Sequence, residues 1–112
     1  MSELTVLLHP DPRLKKICIP VTNIDKSIKK LCLDMIETMY KYSGVGLAAS
    51  QVGILKRVVV MDCSEEDEKK PIILINPEVI WSSDDISFFE EGCLSIPDIR
   101  EEIKRPSSVR IK

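Results

Sequence analysis

The feature that most constrains the fold of this chain is a long amphipathic segment in its first half. Within "NIDKSIKKLCLDMIETMYKYSG", apolar residues recur every three or four positions, which is the spacing of one helix face. These apolar positions are Ile28, Leu31, Cys32, Met35, Ile36, Met39 and Tyr40. Asp25 is a suitable N-cap, and Gly44 is a suitable C-terminal stop. The spacing predicts one helix that begins after Asp25, ends before Gly44 and turns its apolar face toward a core.

The segments that follow the helix have the character of short strands. "RVVVMD", at residues 57–62, is short and β-branched, and "IILINPEVIW" predicts a second strand that is broken at Asn76 and Pro77. "DDISFFEEG" and "SSVRIK" are typical of further strands. Strands that follow one another without intervening helices are typical of antiparallel sheets. The prediction is a single α+β domain, residues 1–112, with antiparallel strands packed around one long amphipathic helix.

Composition excludes several classes of function. The net charge is −2, so no broad basic field favours nucleic acid as a partner. No apolar run approaches the ~18 residues that would cross a membrane, and the N-terminus lacks the pattern of a signal peptide. These features predict a cytoplasmic protein that binds neither nucleic acid nor membrane directly. The cysteines are Cys18, Cys32, Cys63 and Cys93, and in such a chain each is most simply a small buried hydrophobic residue.

The glycine-rich stretch "GVGLAASQVG", at residues 44–53, is the first candidate for a binding site. Its glycines allow a ligand to approach the backbone closely. Backbone groups of Val45 and Gly46 could dock a peptide as an added strand, and the amide of Gln51 could donate to an oxyanion. The alternative is a tight connection from helix to strand, in which Gln51 is only a cap. Taken alone, the stretch favours this structural alternative.

A second candidate is "EEGCLSIP", at residues 90–97. Cys93 could bind a metal as thiolate, and the backbone N–H of Leu94 would then point near the same site. A nucleophilic cysteine needs a nearby base, and the only histidine, His9, lies in a proline-bounded turn that is typical of the surface. Alone, this octapeptide does not decide between a metal ligand and a structural thiol.

Together and in this order, the two stretches resemble the first two signature motifs of the peptide deformylases. The opening "HPDPRL" and the intervening "NPEV" resemble the same family, and the likeness runs from Leu8 to Lys112 without large insertions, as in the bacterial form. The resemblance implies an enzyme that removes the formyl group from the N-terminal formylmethionine of new proteins by metal-assisted hydrolysis. It implies Fe²⁺ as the native metal, with Zn²⁺ or Ni²⁺ as substitutes. N-formylmethionyl peptides are the implied substrates, and the ribosome is a further candidate partner.

The resemblance also assigns roles to individual residues. Cys93 matches the cysteine ligand of the metal, and Gln51 and the N–H of Leu94 match the groups that stabilise the oxyanion. The positions that match substrate-contacting residues are the peptide-binding backbone at Gly44, Val45 and Gly46, the border of the methionine pocket at Phe89 and Glu91, and the peptide exit at Arg100.

One part of the family pattern is absent from these residues. The resemblance calls for H-E-x-x-H on a C-terminal helix, which supplies two metal ligands and the general base, and residues 1–112 contain no such motif. The prediction is a domain that is incomplete at its C-terminus, binds metal weakly and lacks a helix that would cover the apolar face of residues 28–40. Residues 1–112 alone are expected to be inactive or nearly so. The alternative is a non-enzymatic remnant that binds peptide N-termini or a partner protein.

Overall fold

The computed structural model describes residues 3–65 and 68–112, which form one helix and three small antiparallel sheets. In chain order the elements are α1 (Lys26–Lys41), β1 (Gly46–Ala48), β2 (Val58–Met61), β3 (Ile72–Ile75), β4 (Val79–Ser82), β5 (Ile86–Cys93), β6 (Ile96–Pro106) and β7 (Val109–Ile111), with short 3-10 helices at Pro12–Lys15 and Ala49–Val52. The sheets are β1–β2–β3, β4–β7 and β5–β6. The predicted α+β class with antiparallel strands is confirmed.

Helix α1 begins after Asp25, as the sequence predicts, and ends at Lys41 in a turn that contains a left-handed residue. The carboxylate of Asp25 accepts a hydrogen bond from the N–H of Ile28 at 3.1 Å, as an N-cap does. At the other end, the left-handed position is occupied by Ser43 (φ 56°), not by Gly44. The N–H of Gly44 then donates to the carbonyl of Met39 at 2.9 Å, which completes a Schellman-type end. The prediction that the helix ends before Gly44 is confirmed, and Ser43 is the left-handed residue.

The core lies between α1 and the sheet β1–β2–β3. Met35 and Met39 of the helix are fully buried, and they belong to one cluster with Leu47, Val58 and Val60 of the sheet. The predicted inward face of the helix is thereby confirmed. The expectation that a missing helix would cover this face is wrong, because the sheet already covers it.

We expect Met39→Ala to lower the free energy of unfolding by about 2–5 kcal/mol, because it removes a fully buried side chain and leaves a cavity. Leu33→Ala is the matched control on the same helix, since Leu33 is 50% exposed, and its effect should stay within about 0.5–1 kcal/mol. Urea unfolding followed by circular dichroism measures both. Equal losses in the two variants would contradict the placement of the core.

Asp62, just after β2, ties α1 to the loop that follows β2. Its buried carboxylate accepts hydrogen bonds from the hydroxyls of Ser64 and Tyr40, both at 2.5 Å, and from the N–H groups of Ser64 (2.9 Å) and Lys70 (3.0 Å). These donors, the Ser64 hydroxyl foremost, hold the pKa of Asp62 well below its usual range. The bond to Asp62 raises the pKa of Tyr40 to about 12. Residues 66–67 of this loop lie outside the described residues.

We expect this cluster to make the fold less stable in acid. Because the pKa of Asp62 is depressed in the folded state, its contribution is complete above the unfolded-state pKa of about 3.9. It is lost as the pH falls from there through the lower folded-state value. Asp62→Asn should therefore unfold at a lower urea concentration than the parent protein at pH 7, and the difference should narrow between about pH 4 and pH 2.

Urea titrations at several pH values test this expectation. Asp84→Asn is the control, since Asp84 is exposed and makes no ion pair within the described part of the chain. A difference between Asp62→Asn and the parent that stays constant from pH 7 to about pH 2 would show that the carboxylate is not a source of acid lability.

The outer parts of the fold depart from the sequence predictions. The long strand β6 was not predicted, and Cys63 is exposed and Cys18 half-buried, so the buried-thiol interpretation is confirmed only for Cys32. Large apolar side chains are exposed on or beside the two smaller sheets: Val79, Ile80, Trp81, Ile86, Phe88, Phe89, Ile99, Val109 and Ile111. Within residues 3–65 and 68–112, no helix is both long and apolar enough to span a bilayer.

Candidate active site

The two motif stretches meet across a cleft of about 870 Å³. One wall comes from the end of α1 and from β1, and the other from the turn between β5 and β6. The cleft contains most of the predicted site residues: Gly44, Val45, Gly46, Gln51, Cys93, Leu94 and Arg100. Glu91 borders a second, adjoining cleft of about 300 Å³ that shares Cys93, and Phe89 lines neither cleft.

Gln51 is both a cap and a site residue. Its side-chain oxygen accepts a hydrogen bond from the N–H of Ala48 at 3.0 Å, at the start of the 3-10 helix. Its side-chain nitrogen lies 3.1 Å from Oγ of Ser95 and 3.6 Å from Sγ of Cys93. The structural alternative for Gln51 is therefore confirmed, and the functional one stays a prediction that is compatible with it, because the nitrogen end of the amide is not used by the cap.

Strand β1 presents one open edge to the cleft. It is the terminal strand of its sheet and pairs only with β2 among the described strands. The carbonyl of Val45 accepts a hydrogen bond from the N–H of Asp62 at 2.9 Å, so this carbonyl points into the sheet. Because successive residues of an antiparallel strand point their backbone groups to opposite edges, the backbone groups of Gly46 face outward. A peptide that adds to this edge would meet Gly46 first.

Gly44 brings the two walls together. A Cβ atom at Gly44 would lie 2.8 Å from Cδ1 of Leu94, closer than such atoms approach in proteins. Leu94 is also partly buried against the core cluster. The glycine at this position therefore allows the Leu94 side chain to pack closely against it.

Charged groups at the far wall are tied to one another. Both carboxylate oxygens of Glu91 accept hydrogen bonds from Arg105, at 2.6 and 2.9 Å, and this pairing lowers the pKa of Glu91. Arg100 lies over Gly92, where a Cβ would come within 3.3 Å of its guanidinium, and it donates to the carbonyl of Glu90 at 3.4 Å. A carboxylate held ionised by a guanidinium is a weak general base.

Two residues that the sequence analysis left without a role belong to this region. Ser95 is only 3% exposed and contacts Gln51, and Arg105 holds Glu91. Ser95 lies inside "EEGCLSIP", yet nothing in a single sequence distinguishes a buried serine from an exposed one. Arg105 is one of many charged residues in β6. Only the strand register shows that it shares a face of the hairpin with Glu91, whose direct partner is Glu101.

Comparison with known proteins places this geometry in a family. The sequence profile of the polypeptide deformylases matches residues 3–112. This chain belongs to the polypeptide deformylase family. It is 47% identical to a peptide deformylase of Polynucleobacter necessarius over 112 residues, covering 100% of this chain and 65% of the relative. It is 50% identical to peptide deformylase 1 of Burkholderia multivorans, of which it covers 61%. The chain thus spans somewhat less than two thirds of these relatives.

Solved deformylase structures confirm the fold. The peptide deformylase of Ehrlichia chaffeensis in complex with actinonin superposes with a TM-score of 0.94 at 40% identity, over 99% of this chain and 67% of that one. The Thermotoga maritima peptide deformylase gives a TM-score of 0.90 at 43% identity, over 97% of this chain and 71% of that one. The family assignment predicted from the motifs is therefore confirmed.

Deformylases are metalloenzymes, so the residues of this cleft can be tested as a metal site. Cys93 is exposed at the cleft and offers one thiolate. Catalytic sites for zinc-like metals usually take three protein ligands. Within the part of the chain that the structure describes, no group of three or more His, Cys, Asp or Glu side chains is placed to hold a metal. These residues fit one position of a metal site and do not complete one.

Proposed function

We propose that the protein removes the formyl group from the N-terminal formylmethionine of newly made proteins. Residues 1–112 would supply its peptide-binding and oxyanion-stabilising parts. The observation that carries the proposal is the meeting of three features in one cleft: the amide nitrogen of Gln51, the sulfur of Cys93 and the open edge of β1. Family membership supports the same conclusion.

The formylated peptide would bind as an added strand along β1. The outward backbone groups of Gly46 offer a donor and an acceptor to such a strand, and Val45, which is 67% exposed, borders it. The adjoining cleft beside Glu91 is lined by Ile96, Ile99 and Ile103, which suits an apolar methionine side chain. Arg100 also lines the cleft, and we propose that the rest of the peptide leaves past it. Phe89, 69% exposed, would contact the substrate only at the rim of the methionine pocket.

Charge that develops on the formyl oxygen would be stabilised by two donors. The side-chain amide of Gln51 is one, and the backbone N–H of Leu94 is the other. Donors that are fixed before the reaction stabilise a developing oxyanion strongly, because they need no reorganisation when the charge forms. The hydrogen bond from the N–H of Ala48 orients the Gln51 amide, and the Leu94 side chain packs against Gly44 on the opposite wall.

The metal of the proposed enzyme would take Cys93 as one ligand. Fe²⁺ is the ion we propose, with Zn²⁺ or Ni²⁺ as substitutes, and its binding to residues 1–112 alone should be weak. We infer that these residues are one deformylase-like domain that needs further ligands and a general base from another segment. We also infer a cytoplasmic location, with nascent proteins as substrates and the ribosome as a further candidate partner.

The test is formate release from a formyl-Met dipeptide by the protein expressed from its complete gene and loaded anaerobically with Fe²⁺ or Ni²⁺. We expect the parent protein to release formate and Cys93→Ala to lose both tightly bound metal and activity, because one ligand is removed. Cys63→Ala is the matched control, since Cys63 is an exposed cysteine outside both clefts.

Two results would contradict the proposal. Cys93→Ala could retain parental activity, which would remove Cys93 from the metal site. Alternatively, the parent protein could release no formate while still binding formyl-Met peptides. That result would favour the non-enzymatic interpretation of the chain.

A further inference from the structure

We propose that Ser95 is a positioning residue for Gln51, fixing its amide so that one N–H is held toward Cys93 and the cleft. The inference rests on the proposed function for its catalytic meaning. Its geometric part stands on the hydrogen bonds around Gln51. Ser95 carries no role in the sequence motifs, and it does not line the cleft.

The orientation of the Gln51 amide is set at its oxygen end. That oxygen accepts the N–H of Ala48 at 3.0 Å, so the nitrogen end must face the opposite way. An amide nitrogen carries two hydrogens. Two acceptors lie near it, Oγ of Ser95 at 3.1 Å and Sγ of Cys93 at 3.6 Å. One hydrogen therefore serves Ser95, and the other is directed to the cleft.

Of these two acceptors, Ser95 restrains the amide more strongly. A separation of 3.1 Å is within the normal range for an N–H···O bond, and sulfur at 3.6 Å is a weak acceptor. Ser95 is only 3% exposed, so water does not readily replace its hydroxyl. Removal of that hydroxyl would leave one amide hydrogen without its acceptor, and the side chain would gain freedom to rotate.

The backbones of the two residues are fixed by a third segment. The N–H of Leu7 donates to the carbonyl of Gln51, and the N–H of His9 donates to the carbonyl of Ser95, both at 2.7 Å. One stretch of extended chain thus binds the two motif stretches at once. With both backbones held, the bond between the side chains decides where the amide nitrogen lies.

The first test is a nuclear magnetic resonance measurement that requires no activity. Glutamine side chains are labelled selectively, and the resonance that is missing from the spectrum of Gln51→Ala identifies the Gln51 amide. In the protein expressed from its complete gene, Ser95→Ala should speed hydrogen exchange of the Gln51 amide about 2- to 10-fold and lower its order parameter. Ser50→Ala is the control, since Ser50 adjoins Gln51 and lies outside both clefts. An unchanged Gln51 amide in Ser95→Ala would overturn the proposal.

The second test is a double-mutant cycle on formate release. Ser95→Ala should lower kcat by about 3- to 10-fold with little change in KM, and it should have no further effect in a Gln51→Ala background. An equal loss of kcat in both backgrounds would show that Ser95 acts structurally and would overturn the proposal. If the protein releases no formate, the resonance measurement still decides the geometric part, so the two failures are distinguishable.

Discussion

Residues 1–112 by themselves should release formate from formyl-Met peptides at least about 10²–10⁴-fold more slowly than a complete relative, because they do not contain the general base that the resemblance calls for. The resemblance assigns that role to the glutamate of H-E-x-x-H, which does not occur in these residues. Glu91 does not replace it, since Arg105 holds it ionised through two hydrogen bonds. Loss of two metal ligands adds to the deficit, because Cys93 alone does not complete a site.

The measurement compares residues 1–112 with a chimera in which the same residues are joined to the C-terminal part of the Burkholderia multivorans relative. We expect the chimera to gain both tight metal binding and formate release. Circular dichroism of the two proteins shows whether each is folded. A rate for residues 1–112 close to that of the chimera would contradict this prediction, because it would require a base and further metal ligands from within residues 1–112.

The second large effect is expected from Gln51→Ala in the active protein. Removal of one preorganised oxyanion donor typically lowers kcat by about 10²–10³-fold. KM should change little, because the donor acts on charge that exists in the transition state and not on the bound substrate. Steady-state formate release at several substrate concentrations separates the two parameters.

Asn23→Ala provides the control for Gln51→Ala. It also removes a carboxamide, but from an exposed residue that lines neither cleft, and its kcat should equal that of the parent protein. A rise in KM for Gln51→Ala at unchanged kcat would place the amide in substrate binding and would contradict its role at the oxyanion.

The sequence predicts the parts of the fold whose pattern is local. The apolar spacing of α1 and its Asp25 cap identify the helix, and the β-branched run before Asp62 identifies β2. The break at Asn76 also corresponds to a real change of sheet, since β3 and β4 belong to different sheets. In each case, neighbouring residues contain the whole signal.

The remaining features depend on contacts between distant residues. Strand β6 is rich in exposed charged residues, so neither alternation nor apolar content indicates it, and its pairing with β5 defines it. The sequence predicts Gly44 as a helix stop. It does not show the close packing of Gly44 against Leu94, a residue fifty positions away in the other motif. The apolar pattern of α1 predicts that one face of the helix is buried, but it does not identify the element that packs against this face. That element is the sheet β1–β2–β3.

The candidate site divides in the same way. The two motifs together predict that Gln51 and Cys93 lie near each other. In the structure, Nε2 of Gln51 lies 3.6 Å from Sγ of Cys93. The motifs give no sign of Ser95, whose burial is a property of the folded chain. Nor do they show that the oxygen end of the Gln51 amide accepts from Ala48 while its nitrogen end faces Ser95 and Cys93.

The backbone bonds from Leu7 and His9 have a consequence for how this sequence can vary. Both bonds use main-chain N–H groups, which every amino acid except proline possesses. The side chains at positions 7 and 9 can therefore vary widely among relatives, while these main-chain bonds to the two motifs are kept. An insertion or deletion between Leu7 and His9 would move one N–H away from its carbonyl acceptor. The length of this stretch should therefore vary less among relatives than its amino-acid identities.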